Sequence, residues 1–102
     1  MVNVSFQSAG ETLYAYLAGE IDHDSAQLLR GRIEQKVDQC MPTLLVLDLA
    51  GICFMDSSGV GLILGRLRQM QATGGRLRVD APPVQIQKIL RLANIAYQEA
   101  AR

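Results

Sequence analysis

The fold of this chain is decided by one stretch, which reads LLVLDL at residues 44–49, DSSG at residues 56–59 and VGLILGRL at residues 60–67. The first segment is apolar without alternation, as in a strand buried on both faces, and the last has helical spacing. A buried strand therefore leads to two serine hydroxyls at the start of a helix. A helix N-terminus offers unpaired N–H groups and a partial positive charge, which favour a phosphate attached or bound there.

Regular elements alternate along the rest of the chain. Residues 2–7 and 12–19 predict a β-hairpin, and residues 76–79 predict a half-exposed strand. A capping box of Asp24 and Gln27 is expected to start a first helix with a buried stripe of Leu29, Ile33 and Val37, and a third helix begins near residues 82–83. Helices between strands require parallel crossovers. We therefore expect one α/β domain over residues 1–102, with a mixed, mostly parallel sheet of about four strands, an antiparallel edge hairpin and three or four helices.

The composition restricts the classes of function. The chain has 102 residues, of which 49% are hydrophobic, enough for one small core. Ten basic residues balance ten acidic ones and do not cluster, which argues against direct binding of nucleic acid. No apolar run approaches the roughly 20 residues of a membrane span, and the N-terminus lacks the pattern of a leader peptide. We expect a cytoplasmic protein without a membrane partner.

The helix that follows the serines has two predicted faces. Interior glycines each cost about 0.5–1 kcal/mol relative to alanine, so Gly61 and Gly65 indicate a surface that a partner approaches closely, with Leu62 as its outward anchor. Alternatively, the helix is buried on both sides and the glycines fit against the sheet or another helix, and spacing leaves both interpretations open. The predicted core stripe is Val60, Ile63, Leu64 and Leu67, and the predicted outer face is Ser58, Gly61, Leu62, Gly65 and Gln69.

Position also predicts separate roles for the polar residues around the serines. Ser57 is expected to cap the helix by accepting a hydrogen bond from an N–H two or three residues on, whereas Ser58 begins the outer face. Asp22 is expected near the serines, because the second strand and the central strand end at the edge of the sheet where ligands gather.

Templates for catalysis and for cofactors fit this chain poorly. The glycines of residues 59–65 miss the dinucleotide spacing, no phosphate-loop lysine is present, and neither serine has the glycine of a nucleophile elbow. A hydrolase using Ser58 and His23 is an alternative, although a histidine in an acidic turn is more often an exposed turn residue. Asp22, Asp24 and Asp56 could hold a divalent ion, but carboxylates that precede helices usually act as caps. We expect no enzymatic activity, no cofactor and no metal.

Two segments resemble the signature regions of a known family. They read LAGEIDHDSA at residues 17–26 and DLAGICFMDSSGVG at residues 48–61. Both are similar to those of bacterial anti-sigma factor antagonists, members of the STAS domain family, and the resemblance extends from Val2 to about Asn94. The chain departs from the family after that point, since residues 95–102 are too short for the strand and closing helix that usually follow.

The resemblance implies a switch that is set by phosphorylation. The family's phosphoacceptor is the second serine of Asp-Ser-Ser-Gly, which is Ser58 here, and Asp22 matches the acidic residue near it. The unphosphorylated protein is implied to bind an anti-sigma factor that is also a serine kinase, which frees a sigma factor. Phosphorylation by that kinase ends the contact, and a serine phosphatase restores it.

A phosphoryl group would disturb such a contact strongly, since it adds about 1.5–2 negative charges that Asp22 and Asp56 repel. The main alternative is an adaptor or scaffold domain of the same fold in a transporter or signalling complex, never phosphorylated. The residues expected to bind the partner are Asp22, Asp56, Ser57, Ser58, Gly61, Leu62, Gly65 and Gln69.

Overall fold

The protein forms a four-stranded sheet with three helices, in a computed structural model that describes residues 1–100. The sheet order is β1-β2-β3-β4, with β1 antiparallel to β2 and the other pairs parallel. The predicted mixed sheet and edge hairpin are confirmed. In chain order the elements are β1 (Val2–Ala9), β2 (Thr12–Ile21), α1 (His23–Cys40), β3 (Leu44–Met55), α2 (Ser57–Ala72), β4 (Arg76–Asp80) and α3 (Val84–Leu92).

The three helices share one face of the sheet, and the core lies between them and the strands. This arrangement follows from the strand order, because successive right-handed crossovers that move in one direction across a sheet place their helices on the same side. The predicted stripe of α1 is buried, and all three helices join one cluster. Its fully buried members include Leu13, Leu29, Ile33, Leu45, Leu47, Ile63, Ile86 and Leu90.

The opposite face of the sheet is covered by side chains of the strands. Val46 of the central strand is 0% exposed there, and its register partners are Tyr14 and Arg78. The rings of Tyr14 and Tyr16 stack with their centroids 6.1 Å apart, and Arg78 forms an ion pair with Asp80 at 2.8 Å. The apolar run of β3 is therefore buried on both faces as predicted, although helices cover one face only.

The segment after α3 returns to the outer edge of β4. The backbone N–H of Gln98 donates to the carbonyl of Val79 at 2.9 Å, and the N–H of Ala81 donates to the carbonyl of Gln98 at 2.7 Å. These bonds form a single parallel bridge at the edge of the sheet. Across residues 1–100, none of the helices combines the length and the apolar character that a membrane span requires.

Of the three glycines of α2, Gly59 has the least free space. A Cβ added there would overlap the side chain of Met55, which is 3% exposed, and would lie 3.4 Å from Cγ2 of Ile21. We expect Gly59→Ala to lower the free energy of unfolding by about 1–3 kcal/mol, because the core must shift to accept the methyl group. Denaturant unfolding measures this change.

The matched control is Gly31→Ala in α1, where an added Cβ meets nothing within 4 Å. This substitution should raise the free energy of unfolding by about 0.5–1 kcal/mol through helix propensity. Equal effects of the two substitutions would contradict the packing described for Gly59.

Candidate functional site

Two adjacent strands end level with each other and bring two helix starts to one edge of the sheet. Ile21 and Met55 are partners in the parallel register of β2 and β3, and the N–H of Asp56 donates to the carbonyl of Ile21 at 3.2 Å. Each strand is followed at once by an aspartate, Asp22 or Asp56, that caps the next helix. Asp22 therefore lies at the same edge of the sheet as the serines, as the sequence predicts.

The start of α1 is a capping box formed by Asp22 and Ser25. Oδ1 of Asp22 accepts from the N–H of Ser25 at 2.9 Å and lies 2.6 Å from the Ser25 hydroxyl, while the N–H of Asp22 donates to Oγ of Ser25 at 3.1 Å. The predicted box of Asp24 and Gln27 is wrong, because the helix starts two residues earlier, directly after the end of β2.

The hydrogen bonds from Ser25 hold the pKa of Asp22 below its usual range, because they favour the ionised carboxylate. A carboxylate with a lowered pKa stabilises the fold at pH values above its ordinary pKa. That stabilisation is lost as the pH falls through the lowered value.

The start of α2 leaves both serine hydroxyls free. Oδ1 of Asp56 accepts from the N–H of Ser58 at 2.8 Å, so Asp56 is the cap and Ser57 is the first residue of the helix. The prediction that Ser57 caps α2 is therefore wrong, since aspartate serves this position as well as serine does. Within residues 1–100 neither hydroxyl makes a hydrogen bond, which contrasts with the Ser25 hydroxyl at the start of α1.

A groove separates the N-terminal halves of α1 and α2, and we name it the α1/α2 groove. Ser58 lines it and is partly buried, whereas Ser57 is exposed and lies outside the lining. The residues from α1 have the spacing of one helix face, at positions i, i+3, i+4 and i+7. The lining residues are His23, Ala26, Gln27 and Arg30 of α1 and Ser58, Gly61 and Leu62 of α2.

The C-terminal halves of the same two helices are joined by polar side chains. Arg66 is 3% exposed, and its guanidinium donates to the carbonyl of Arg30 at 3.1 Å and to the carboxylate of Glu34 at 3.0 Å. Nε2 of Gln69 donates to the carbonyl of Glu34 at 3.2 Å and to Asp38 at 3.3 Å. Burial lowers the pKa of Arg66, and the Glu34 carboxylate opposes this shift. This network, which holds the Gln69 side chain toward α1, is not predicted by the sequence pattern.

The buried side of α2 differs from the predicted stripe. Leu62, the predicted outward anchor, is 4% exposed and buried, so its predicted outward position is wrong. Val60, Leu64 and Leu67 are only half-buried, and Ile63 alone of the predicted stripe is fully buried. The reason is that α2 packs against α1 as well as against the sheet. The buried residues of α2 therefore extend around the helix from Ile63 toward α1.

Two of the three glycines of α2, Gly61 and Gly65, remain open within the domain. A Cβ added at Gly61 or Gly65 meets nothing within 4 Å. The interpretation that these two glycines fit against the sheet or another helix is therefore contradicted at Gly61 and Gly65, although α1 does pack against Leu62 and Gln69. Partner binding along the open glycines stays a prediction.

The histidine of the alternative hydrolase lies in the α1/α2 groove with Ser58. Its Nε2 lies 3.4 Å from Nε2 of Gln27, one turn along α1. Among the hydrogen bonds of residues 1–100, none joins His23 to a serine hydroxyl, so the geometry does not supply the activated nucleophile that a hydrolase needs.

Comparison with known proteins identifies the family of this fold. A family model for the STAS domain matches residues 3–98. The chain belongs to the STAS domain family. Among its relatives in this family is an anti-sigma F factor antagonist of Lysinibacillus sphaericus, which is 36% identical over 85 residues, covering 83% of this chain and 73% of that protein.

Two solved structures share this STAS fold over nearly the whole chain. The anti-sigma factor antagonist SpoIIAA in its unphosphorylated form has a TM-score of 0.85 and 28% identity, covering 98% of this chain and 90% of that chain. The Bacillus cell fate determinant SpoIIAA in the phosphorylated form has a TM-score of 0.78 and 29% identity, covering 98% and 93%. The resemblance to anti-sigma factor antagonists that the two sequence segments carry is thus confirmed.

We expect Gly65→Ala to raise the free energy of unfolding by about 0.5–1 kcal/mol, because the methyl group enters open space and improves helix propensity. A thermal melt measures the change. Leu62→Ala is the contrasting variant and should lower the free energy of unfolding by about 2–5 kcal/mol, since Leu62 belongs to the core. A melting temperature that falls by several degrees in Gly65→Ala would show that the glycine face is packed.

Proposed function

We propose that this STAS domain is an anti-sigma factor antagonist that is switched by phosphorylation of Ser58. The observation that carries the proposal is that Ser58 lines the α1/α2 groove, next to the Asp56 cap, with a hydroxyl that makes no hydrogen bond within residues 1–100. The relatives named as anti-sigma factor antagonists and the two forms of SpoIIAA support it. The unphosphorylated protein binds an anti-sigma factor serine kinase in the cytoplasm and so releases a sigma factor.

The chain is the substrate of this reaction and not its catalyst. Oγ of Ser58 attacks the γ-phosphorus of the ATP that the kinase holds, the bond from that phosphorus to the β-phosphate oxygen breaks, and ADP leaves. The hydroxyl proton passes to a base of the kinase or to solvent. A serine phosphatase reverses the modification by hydrolysing the new Oγ–P bond.

The partner surface is the rim of the α1/α2 groove, which includes Gly61, together with the open Gly65 beyond it. Its proposed residues are fewer than the sequence indicates, because Leu62 is buried in the core and Gln69 is bonded to α1. Phosphorylation adds about 1.5–2 negative charges. A bound partner would have to remove water from these charges next to the carboxylates of Asp22 and Asp56. The residues kept in the proposal are Asp22, Asp56, Ser57, Ser58, Gly61 and Gly65.

We expect Ser58→Ala to abolish phosphorylation by the partner kinase with ATP while binding of that kinase persists. Ser57→Ala is the matched control and should still be phosphorylated, because Ser57 lies outside the groove. Intact mass and fragmentation mass spectrometry locate the phosphate. Phosphate on Ser57 would overturn the assignment, and stable kinase binding with no modification of either serine would favour the adaptor function.

Asp22 combines a cap and a charge, and two substitutions separate them. Asp22→Asn keeps a good cap and removes the charge, whereas Asp22→Ala removes both and should lower the free energy of unfolding through loss of the cap. We expect both variants to change the rate of phosphorylation or the affinity for the kinase. Asp24→Asn, in the exposed first turn of α1, is the control. If Asp22→Asn is phosphorylated and binds the kinase as the wild type does, Asp22 acts only as a structural cap.

A further inference from the structure

The α1/α2 groove holds a cation for which the described part of the chain provides no counterion. Arg30 lines the groove with Ser58, and no ion pair within residues 1–100 involves its guanidinium. The acidic residue one turn further along α1, Glu34, is already paired with Arg66 at 3.0 Å. His23 adds a second nitrogen-bearing side chain to the same lining.

The carboxylates near this groove are already engaged. Asp22 accepts two hydrogen bonds from Ser25, and Asp56 accepts one from the N–H of Ser58. Asp24 is exposed and does not line the groove. Within the lining itself the ionisable groups are Arg30 and His23, so the groove favours an anion over a cation.

The groove also has the space and the field that a phosphate needs. An added Cβ at Gly61 meets nothing within 4 Å, so the side of the groove next to Ser58 is open. Both helices begin at the same edge of the sheet, where the partial positive charges of their N-termini offset part of the negative charge of the capping residues Asp22 and Asp56. A planar guanidinium can donate two hydrogen bonds to one phosphate, which makes arginine well suited to this contact.

We infer that the phosphate on Ser58 is bound within this chain by Arg30, with His23 as a second donor. The inference rests on the proposed phosphorylation of Ser58 and gives the switch a second component. The modified serine fills the α1/α2 groove and withdraws the Arg30 guanidinium from the surface offered to the kinase. Loss of binding then follows from closure of the groove as well as from repulsion.

The test uses the full chain with phosphoserine placed at position 58 during translation, so that no kinase is required. Phosphorus NMR follows the second ionisation of the phosphate, whose ordinary pKa is about 6. A paired cation favours the dianion, so we expect the phosphate pKa to rise by about 0.5–1 unit when Arg30→Gln is introduced. His23→Gln should raise it by a smaller amount.

Arg32→Gln is the matched control, since it removes the same charge from α1 at a position beside Phe6 and Lys36, outside the groove. This control should leave the phosphate pKa close to that of the parent. Equal shifts of the phosphate pKa in Arg30→Gln and Arg32→Gln would show that the pKa responds only to the net charge of the chain. This result would overturn the inference. As a second readout, the NMR chemical shift of the Arg30 Nε–H should change when phosphoserine replaces Ser58. An unchanged shift would count against an ion pair between Arg30 and the phosphate.

The two proposals fail separately in these experiments. If no kinase modifies Ser58, the proposed function fails, while the titration of the phosphoserine protein still measures the contact with Arg30. If the kinase modifies Ser58 and Arg30→Gln leaves the titration unchanged, the internal phosphate contact alone is rejected.

Discussion

The parallel register of β2 and β3 is the constraint on which the site depends. It holds Ile21 level with Met55. The hydrogen bond from the Asp56 N–H to the Ile21 carbonyl extends this pairing by one residue. Both long helices therefore begin side by side and run in the same direction. A slip of one residue would turn every side chain of a strand to the opposite face. The position of Ser58 beside α1 is thus set by the sheet, and not by any contact of the serine hydroxyl.

The features that depend on local chemistry could be predicted from the sequence. The hairpin, the parallel crossovers, the buried stripe of α1 and the serines at a helix start follow from periodicity and turn residues, and all are confirmed. The choice of cap could not be predicted in this way, because Asp22 and Asp24 offer the same carboxylate. The end of β2 and the hydroxyl of Ser25 decide between them, and both are known only once the strand is placed.

The surroundings of α2 were harder to predict for a different physical reason. A helical wheel assumes one buried face, whereas α2 packs against the sheet and against α1. Leu62 is buried by the second contact, and Leu64 is left half-buried by it. Arg66 was the available signal, because a charged side chain close to Leu62 and Ile63 needs a partner from another element. The openness of Gly61 and Gly65 was one of two interpretations that the spacing left open, and only the space around them in the fold decides between the two.

The short bridge after α3 has a consequence for how copies of this protein meet. Edge strands present unpaired N–H and C=O groups that can pair with a strand of another molecule. At one end of β4 the segment at Gln98 occupies those groups, and the rest of this five-residue strand carries Arg76 and Arg78. A second copy that approached edge to edge would bring like charges together along a short stretch of free backbone. The outer edge of β4 is therefore poorly suited to pairing with the edge strand of another molecule.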